Sequence, residues 1–112
     1  MTKPRFAILV LAAVLALLYF GTIHAYAEVK IVGTISTDGF PSTKYTSLAK
    51  ISMPDAVGKA LEKVNGKVSE AALENEDGFL VYSIEIVTPG NKRSEVLVDA
   101  GDGRILAVED GK

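Results

Sequence analysis

From Phe6 to Ala27 the sequence contains no Asp, Glu, Lys or Arg, which sets this end of the chain apart from the rest. Lys3 and Arg5 precede the run, and Ala25-Tyr26-Ala27 closes it with the small-x-small pattern that signal peptidase requires. Residues 1–27 are therefore predicted to form the helix of a signal peptide. Because about 20 apolar residues span a bilayer, an uncleaved membrane anchor is the alternative. In both cases the basic residues near the N-terminus are expected to stay on the cytoplasmic side, so the rest of the chain is predicted to lie outside the cytoplasm.

The composition of the remaining chain limits it to one small domain. Removing 27 residues from 112 leaves 85, and the sequence has no cysteine that could form a disulfide. Without Lys3 and Arg5, 10 basic residues face 14 acidic ones, a net charge of −4. This charge argues against nucleic-acid binding, which requires a basic face. We expect a periplasmic or extracellular domain that touches a membrane only through residues 1–27, if they stay attached.

Residues 28–46 are predicted to form an N-terminal strand and loop extension. Glu28 to Ser36 alternates between apolar and polar residues, with Val32 as the exception, which is typical of a strand. Asp38 to Ser42 contains glycine and proline and breaks that pattern. The stretch from Thr43 to Ile51 is mixed and is expected to form a loop or a short strand.

The segment that follows carries the signals of a helix start. Ser52 can accept a hydrogen bond from a free backbone amide, Pro54 suits the first turn, and Asp55 favours the positive helix end. An apolar stripe at helical spacing continues from there, and Asn65-Gly66 ends it. The stripe consists of Met53, Ala56, Val57, Ala60, Leu61 and Val64. An amphipathic helix from Met53 to Val64 is predicted, which needs a surface to cover.

Strand-like segments separated by turn residues follow the helix. They are Lys67–Glu74, Phe79–Val87, Ser94–Asp99 and Arg104–Val108. The second is the strongest, because one of its faces is wholly apolar and consists of Leu80, Tyr82, Ile84 and Ile86. Tyr82 is expected in the core, with its hydroxyl bonded to a partner at the sheet edge. The pattern predicts an α+β fold, in which one amphipathic helix packs on an antiparallel β-sheet meander.

The sequence offers little for catalysis. The only histidine is His24, within the predicted leader, so Ser-His-Asp and Cys-His arrangements and the usual zinc sites are unavailable to the domain. The stretch Asp99 to Gly103 has glycines where an EF-hand loop needs its third and fifth oxygen ligands. A plain turn is therefore predicted, with the Asp99 carboxylate accepting hydrogen bonds from nearby amides. No catalytic residue, cofactor or metal site is expected.

From about Leu48 to Val108 these elements resemble the PepSY domain, found in propeptides of secreted metalloproteases and in small exported bacterial proteins. The resemblance rests on the helix from Ser52, the exit Gly66-Lys67-Val68, the pair Val81-Tyr82, and the closing stretch Val96 to Leu106. It assigns residues 47–112 to a PepSY-like domain and implies a helix packed on an antiparallel sheet. It also implies a role in binding or restraining peptidases outside the cytoplasm. Since no protease domain follows in this sequence, any inhibition is expected to act in trans.

The second face of the strongest strand is the candidate partner-binding surface. We expect this face to be partly exposed to solvent, with exposed apolar side chains among polar residues. The candidates are Val81, Ser83, Glu85, Glu95 and Leu97. A non-enzymatic module that binds an exported protein through this face, or through a sheet edge, is the favoured hypothesis. The alternative is an envelope domain that binds a small ligand or cation, for which the acidic balance gives weak support.

Overall fold

The computed structural model describes residues 30–111. The predicted signal or anchor helix, residues 1–27, lies outside the described residues. From Ile31 onward the described residues belong to one compact unit. None of the helices in this part of the chain has the length and apolar character needed to cross a bilayer.

Within residues 30–111, two helices and four strands follow one another. A 3-10 turn at Ser42–Lys44 leads into the short helix α1, Tyr45–Leu48, and then the main helix α2, Met53–Lys63. The strands are β1 (Lys67–Glu76), β2 (Phe79–Thr88), β3 (Lys92–Asp99) and β4 (Ile105–Gly111). The predicted main helix and the four later strands are confirmed, with ends that shift by a few residues.

Helix α2 begins as the sequence indicates. The Asp55 amide donates a hydrogen bond of 3.2 Å to the Ser52 hydroxyl oxygen, which satisfies one of the free amides of the first turn. Ala56 and Ala60 are fully buried on the face that meets the sheet. Their small side chains let the helix backbone lie close to the strands. The helix ends at Lys63, so Val64 follows it as the capping residue.

The four strands form one antiparallel sheet in the order β1-β2-β3-β4, as the meander prediction requires. The β1–β2 hairpin turns through Asp77 and Gly78, both with positive φ. An Asp-Gly pair of this kind is typical of two-residue hairpins, because their turn needs positive φ at both central positions. The turn sets Glu76 opposite Phe79 and thereby fixes the register of the hairpin.

The core lies between α2 and the inner face of the sheet. The predicted apolar face of β2 is buried there, together with apolar residues of β3 and the turn after it. These buried residues are Leu80, Tyr82, Ile84, Ile86, Val96, Val98 and Ala100. The α+β fold, with one helix on an antiparallel sheet, is therefore confirmed for the described residues.

Two local predictions for the N-terminal part are wrong. In place of a strand up to Ser36, the described residues form a single β-bridge between Ser36 and Phe79. Ile31 and Ile35 pack into different apolar clusters, because the segment passes around the end of the sheet instead of running along one face. The stretch from Thr43 to Ile51 is helical over much of its length and contains no strand.

Candidate functional site

The five residues predicted to bind a partner share the outer face of the sheet, which is the face turned away from α2. The β2–β3 register sets Ser83 opposite Leu97 and Glu85 opposite Glu95. Residues directly opposed in an antiparallel pair point to the same side, and Val81 joins them two positions before Ser83. The structure therefore brings the five together.

The expected exposure of the two apolar candidates is wrong. Val81 is 0% exposed and Leu97 is 3% exposed, and Ser83 is buried as well. Ile31 is buried against Val81 and Leu97 in a second apolar cluster. Half-buried residues of β4 complete the cluster, namely Leu106 and Ala107. Residues 31–37, which we call the covering segment, thus occupy part of the face that the sequence suggested was open.

Hydrogen bonds to two aspartates hold the covering segment in place. The Ile31 amide donates to Asp77 Oδ2 at 2.8 Å, and the Thr34 amide donates to Asp99 Oδ1 at 2.9 Å. The Thr34 hydroxyl and the Asp102 amide both donate to Asp99 Oδ2, at 2.5 and 3.0 Å. The predicted role of Asp99 as an acceptor for nearby amides is confirmed. Its contact with Thr34 adds a long-range attachment that the turn prediction did not include.

Asp99 is a buried charge that its hydrogen bonds stabilise. Its side chain belongs to the fully buried group. Burial raises the pKa of a carboxyl, but the hydrogen bonds from Thr34 and Asp102 outweigh burial and hold the pKa of Asp99 below its ordinary value. The carboxylate form therefore attaches the covering segment to the sheet.

A row of four glutamates crosses the outer face, one from each strand. The register sets Glu70 opposite Glu85, Glu85 opposite Glu95, and Glu95 opposite Glu109. The Arg93 guanidinium lies 3.7 Å from the Glu85 carboxylate, and because Arg93 is exposed, this pair offsets little of the repulsion. Like charges directly opposed across strands are destabilising, so this row favours contact with a positive group.

Acidic side chains continue along the outer face of β1, beyond the glutamate row. Burial raises the pKa of Glu76, and the charges of Glu74, Glu95, Asp77 and Glu109 raise it further. Within residues 30–111, no group of three or more His, Cys, Asp or Glu side chains is arranged to hold a metal ion. The outer side of β1 is thus a negatively charged surface.

The long edge of β1 is open within the part of the chain that the structure describes, because β1 is the first strand of the sheet. The Leu80 amide donates to the Ile35 carbonyl and the Leu80 carbonyl accepts from the Ala100 amide, both on the β3 side. Asn75 lies opposite Leu80, and backbone groups alternate along a strand. The backbone groups of Asn75, and of Leu73 and Ala71 before it, therefore point away from β2.

A groove of about 490 Å³ adjoins this edge on the inner face. Leu73 and Tyr82 line it from the sheet, and Thr46 and residues 49–53 line it from the segment before α2. The Tyr82 hydroxyl donates to the Ile51 carbonyl at 2.8 Å, so the core tyrosine has the predicted hydrogen bond, although its partner lies in the segment before α2 and not in the sheet. Burial, and to a smaller extent the charge of Asp55, raise the pKa of Tyr82, so the hydroxyl stays protonated.

Replacing Tyr82 by phenylalanine is expected to lower the free energy of unfolding by about 1 kcal/mol, because the Ile51 carbonyl loses its partner. Urea unfolding followed by circular dichroism measures this difference. Tyr45→Phe is the matched control, since the Tyr45 hydroxyl has no hydrogen-bond partner among residues 30–111. Equal stability of the Tyr82→Phe variant and the wild type would contradict this role for the hydroxyl.

The glutamate row and the covering segment were not predicted from the sequence, which indicated a sheet edge as a binding site without identifying the edge of β1. The row depends on register, and its signal was the Asp77-Gly78 turn. Counting outward from that turn sets Glu70 opposite Glu85. The covering segment had no comparable signal, because its contacts join residues far apart in the sequence.

Comparisons with known proteins cover the same elements. The family model described as peptidase propeptide and YPEB domain, or PepSY, matches residues 50–109, more than half of the chain. An uncharacterized protein of Bacillus subtilis strain 168, YkoJ, is 36% identical over 59 residues, which are 53% of this chain and 35% of that protein. The match thus spans about a third of that relative's length. No solved structure matches the chain. Since the matched range contains α2, β1, β2, β3 and most of β4, the chain belongs to the PepSY domain family.

Proposed function

We propose that this chain is an exported, non-catalytic module that binds a separate exported protein, either a peptidase or another envelope protein, and restrains or regulates it. The family description, which names peptidase propeptides, supports a peptidase as the partner. The pattern of residues 1–27 supports a location in the periplasm or outside the cell. The observation that carries the binding role is the open β1 edge, because unpaired strand edges receive partner strands.

The composition supports the non-catalytic part of the proposal. The only histidine is His24 and there is no cysteine, so the described residues lack the common nucleophile and base pairs. The carboxyl of Glu76, whose pKa is raised, lies on the acidic outer side of β1, opposite Phe79. General acid catalysis at Glu76 would also require a second catalytic group beside it, and the charged neighbours that affect its pKa are other carboxylates.

The test combines capture with inhibition. The purified chain, immobilised through its C-terminus, is incubated with the exported protein fraction of its host, and captured proteins are assayed for peptidase activity. We expect at least one captured peptidase, whose activity falls in a saturable manner when free chain is added. An Ile84→Ala variant, which lacks part of the core, serves as the negative control at the same concentration. Capture of peptidases without any effect on their activity would contradict the regulatory role.

A further inference from the structure

We propose that the open edge of β1 receives an extended strand in which basic and apolar residues alternate. This inference rests on the proposed function and specifies the partner that the site accepts. The backbone groups of Ala71, Leu73 and Asn75 supply the hydrogen bonds, because they point away from β2. A strand added there would extend the sheet by a fifth member.

The inner face of the sheet explains why alternate residues of the added strand should be apolar. A residue of the added strand opposite Leu73 would point to the same side as Leu73, toward α2. That side holds the groove of about 490 Å³, bordered by Leu73 and Tyr82. Leu73 and Ala71 are only half-buried, so an apolar side chain beside them would remove further apolar surface from water.

The basic half of the pattern follows from the outer face. β1 places Glu70, Glu74 and Glu76 there, opposite residues of β2 that share that face. Residues of an added strand opposite these glutamates would lie beside their carboxylates. Lysine or arginine at these positions would neutralise repulsion that the sheet already carries in its glutamate row. An acidic residue there would add to it.

The same charges argue against a second copy of β1 as the occupant. Two antiparallel copies of β1 would bring the glutamates of each to one face of the joined sheet. The edge is thus suited to a different, basic strand.

Binding of synthetic peptides to the full chain tests the proposal. The probe is a fluorescein-labelled peptide of alternating lysine and valine, matched to the 10 residues of β1. One control peptide has the same composition with lysines and valines in separate blocks, and another has glutamate in place of lysine. Fluorescence anisotropy measures affinity, and hydrogen exchange locates the site. We expect the alternating peptide to bind at least about tenfold more tightly than both controls and to protect the Ala71 and Leu73 amides.

Two proline variants separate this edge from the other one. Ala71→Pro removes an outward amide of β1 without removing a bond to β2, and we expect it to weaken binding about tenfold. Val108→Pro makes the same change on the β4 edge and should leave affinity unchanged. Glu74→Lys should weaken binding of the lysine peptide and strengthen binding of the glutamate peptide. Equal binding of the block peptide, or binding that leaves the wild-type Ala71 and Leu73 amides unprotected, would overturn the proposal whether or not Ala71→Pro folds.

The same variants distinguish this inference from the proposed function. If Ala71→Pro is folded and captures and inhibits the exported peptidase as well as the wild type does, the binding role stands and pairing at β1 is rejected. If the peptide binds as expected but no exported peptidase is captured, the β1 site stands and the regulatory role is rejected. Protection of the Ala71 and Leu73 amides that rises with protein concentration, without peptide, would show self-pairing and would also reject the proposal.

Discussion

Replacing Asp99 by alanine is expected to lower the free energy of unfolding by about 3 kcal/mol. The side chain is 0% exposed and its carboxylate accepts three hydrogen bonds, two from Thr34 and one from Asp102. Bonds to a charged acceptor are worth roughly 1.5–3 kcal/mol each, and relief from burying the charge offsets part of their sum. The change also removes one of the attachments of the covering segment.

Urea unfolding measures this loss, and Asp38→Ala is the control, because Asp38 is an exposed aspartate near the same segment. We expect the control to change stability by less than about 0.5 kcal/mol. With the Thr34 attachment lost, although the Ile31–Asp77 bond remains, the covering segment should separate from the sheet more readily and expose Val81 and Leu97. Increased binding of a hydrophobic dye to folded Asp99→Ala would report that exposure. A variant as stable as the wild type would show that the buried carboxylate contributes nothing.

The pKa of Asp99 gives this prediction a pH dependence with a definite sign. The folded-state pKa is lowered, so the folded state prefers the ionised form more than the unfolded chain does. The contribution is therefore fully present above the unfolded pKa of about 3.9. It is lost as the pH falls below that value and through the folded pKa. Stability curves of the wild type and Asp99→Ala should be parallel from pH 7 to about 5 and converge in stronger acid.

The main helix and the four later strands could be predicted from the sequence because their signals are local. The Ser52 cap and the apolar stripe from Met53 lie within three turns of one helix. The alternation from Leu80 to Ile86 lies within one strand. The apolar faces of the helix and of the strand can both be buried only if they pack on each other, so the periodicity of apolar residues was sufficient to predict this packing.

The path of the covering segment could not be predicted because long-range contacts determine it. Thr34 and Asp99 are 65 positions apart, and nothing in either neighbourhood specifies the other. Ile31 and Ile35 are four positions apart and would share one face of a strand, yet they pack into different clusters. The predicted exposure of Val81 was wrong for the same reason, since Ile31, which is far upstream in the sequence, covers it.

Part of the candidate site could be predicted from the sequence. The Asp77-Gly78 turn fixes the β1–β2 register, so the pairing of Glu70 with Glu85 follows by counting. The β1 edge required the order of strands in the sheet, which the meander already implied. The groove beside Tyr82 required the position of the segment before α2, which only the three-dimensional structure provides.

Replacing Ile84 by alanine is expected to lower the free energy of unfolding by about 3 to 4 kcal/mol. Ile84 is fully buried in the middle of β2, between Ala71 and Val96, on the face that α2 covers. Truncation removes apolar contacts and leaves a cavity that the surrounding strands cannot close, and such changes cost about 2 to 5 kcal/mol. Native domains are stable by only about 5 to 15 kcal/mol, and the smallest are the most marginal.

Val108→Ala is the matched control, because Val108 lies on the same face of the sheet, opposite Val96, but is 39% exposed. Its loss should cost less than about 1 kcal/mol, since little buried area is removed. Equilibrium urea unfolding of both variants gives the comparison. Since Ala56 and Ala60 of α2 share the core with Ile84, a small effect at Ile84 would mean that the helix does not pack closely on this face. The inner wall of the groove beside β1 depends on that packing, so the proposed strand site would fail with it.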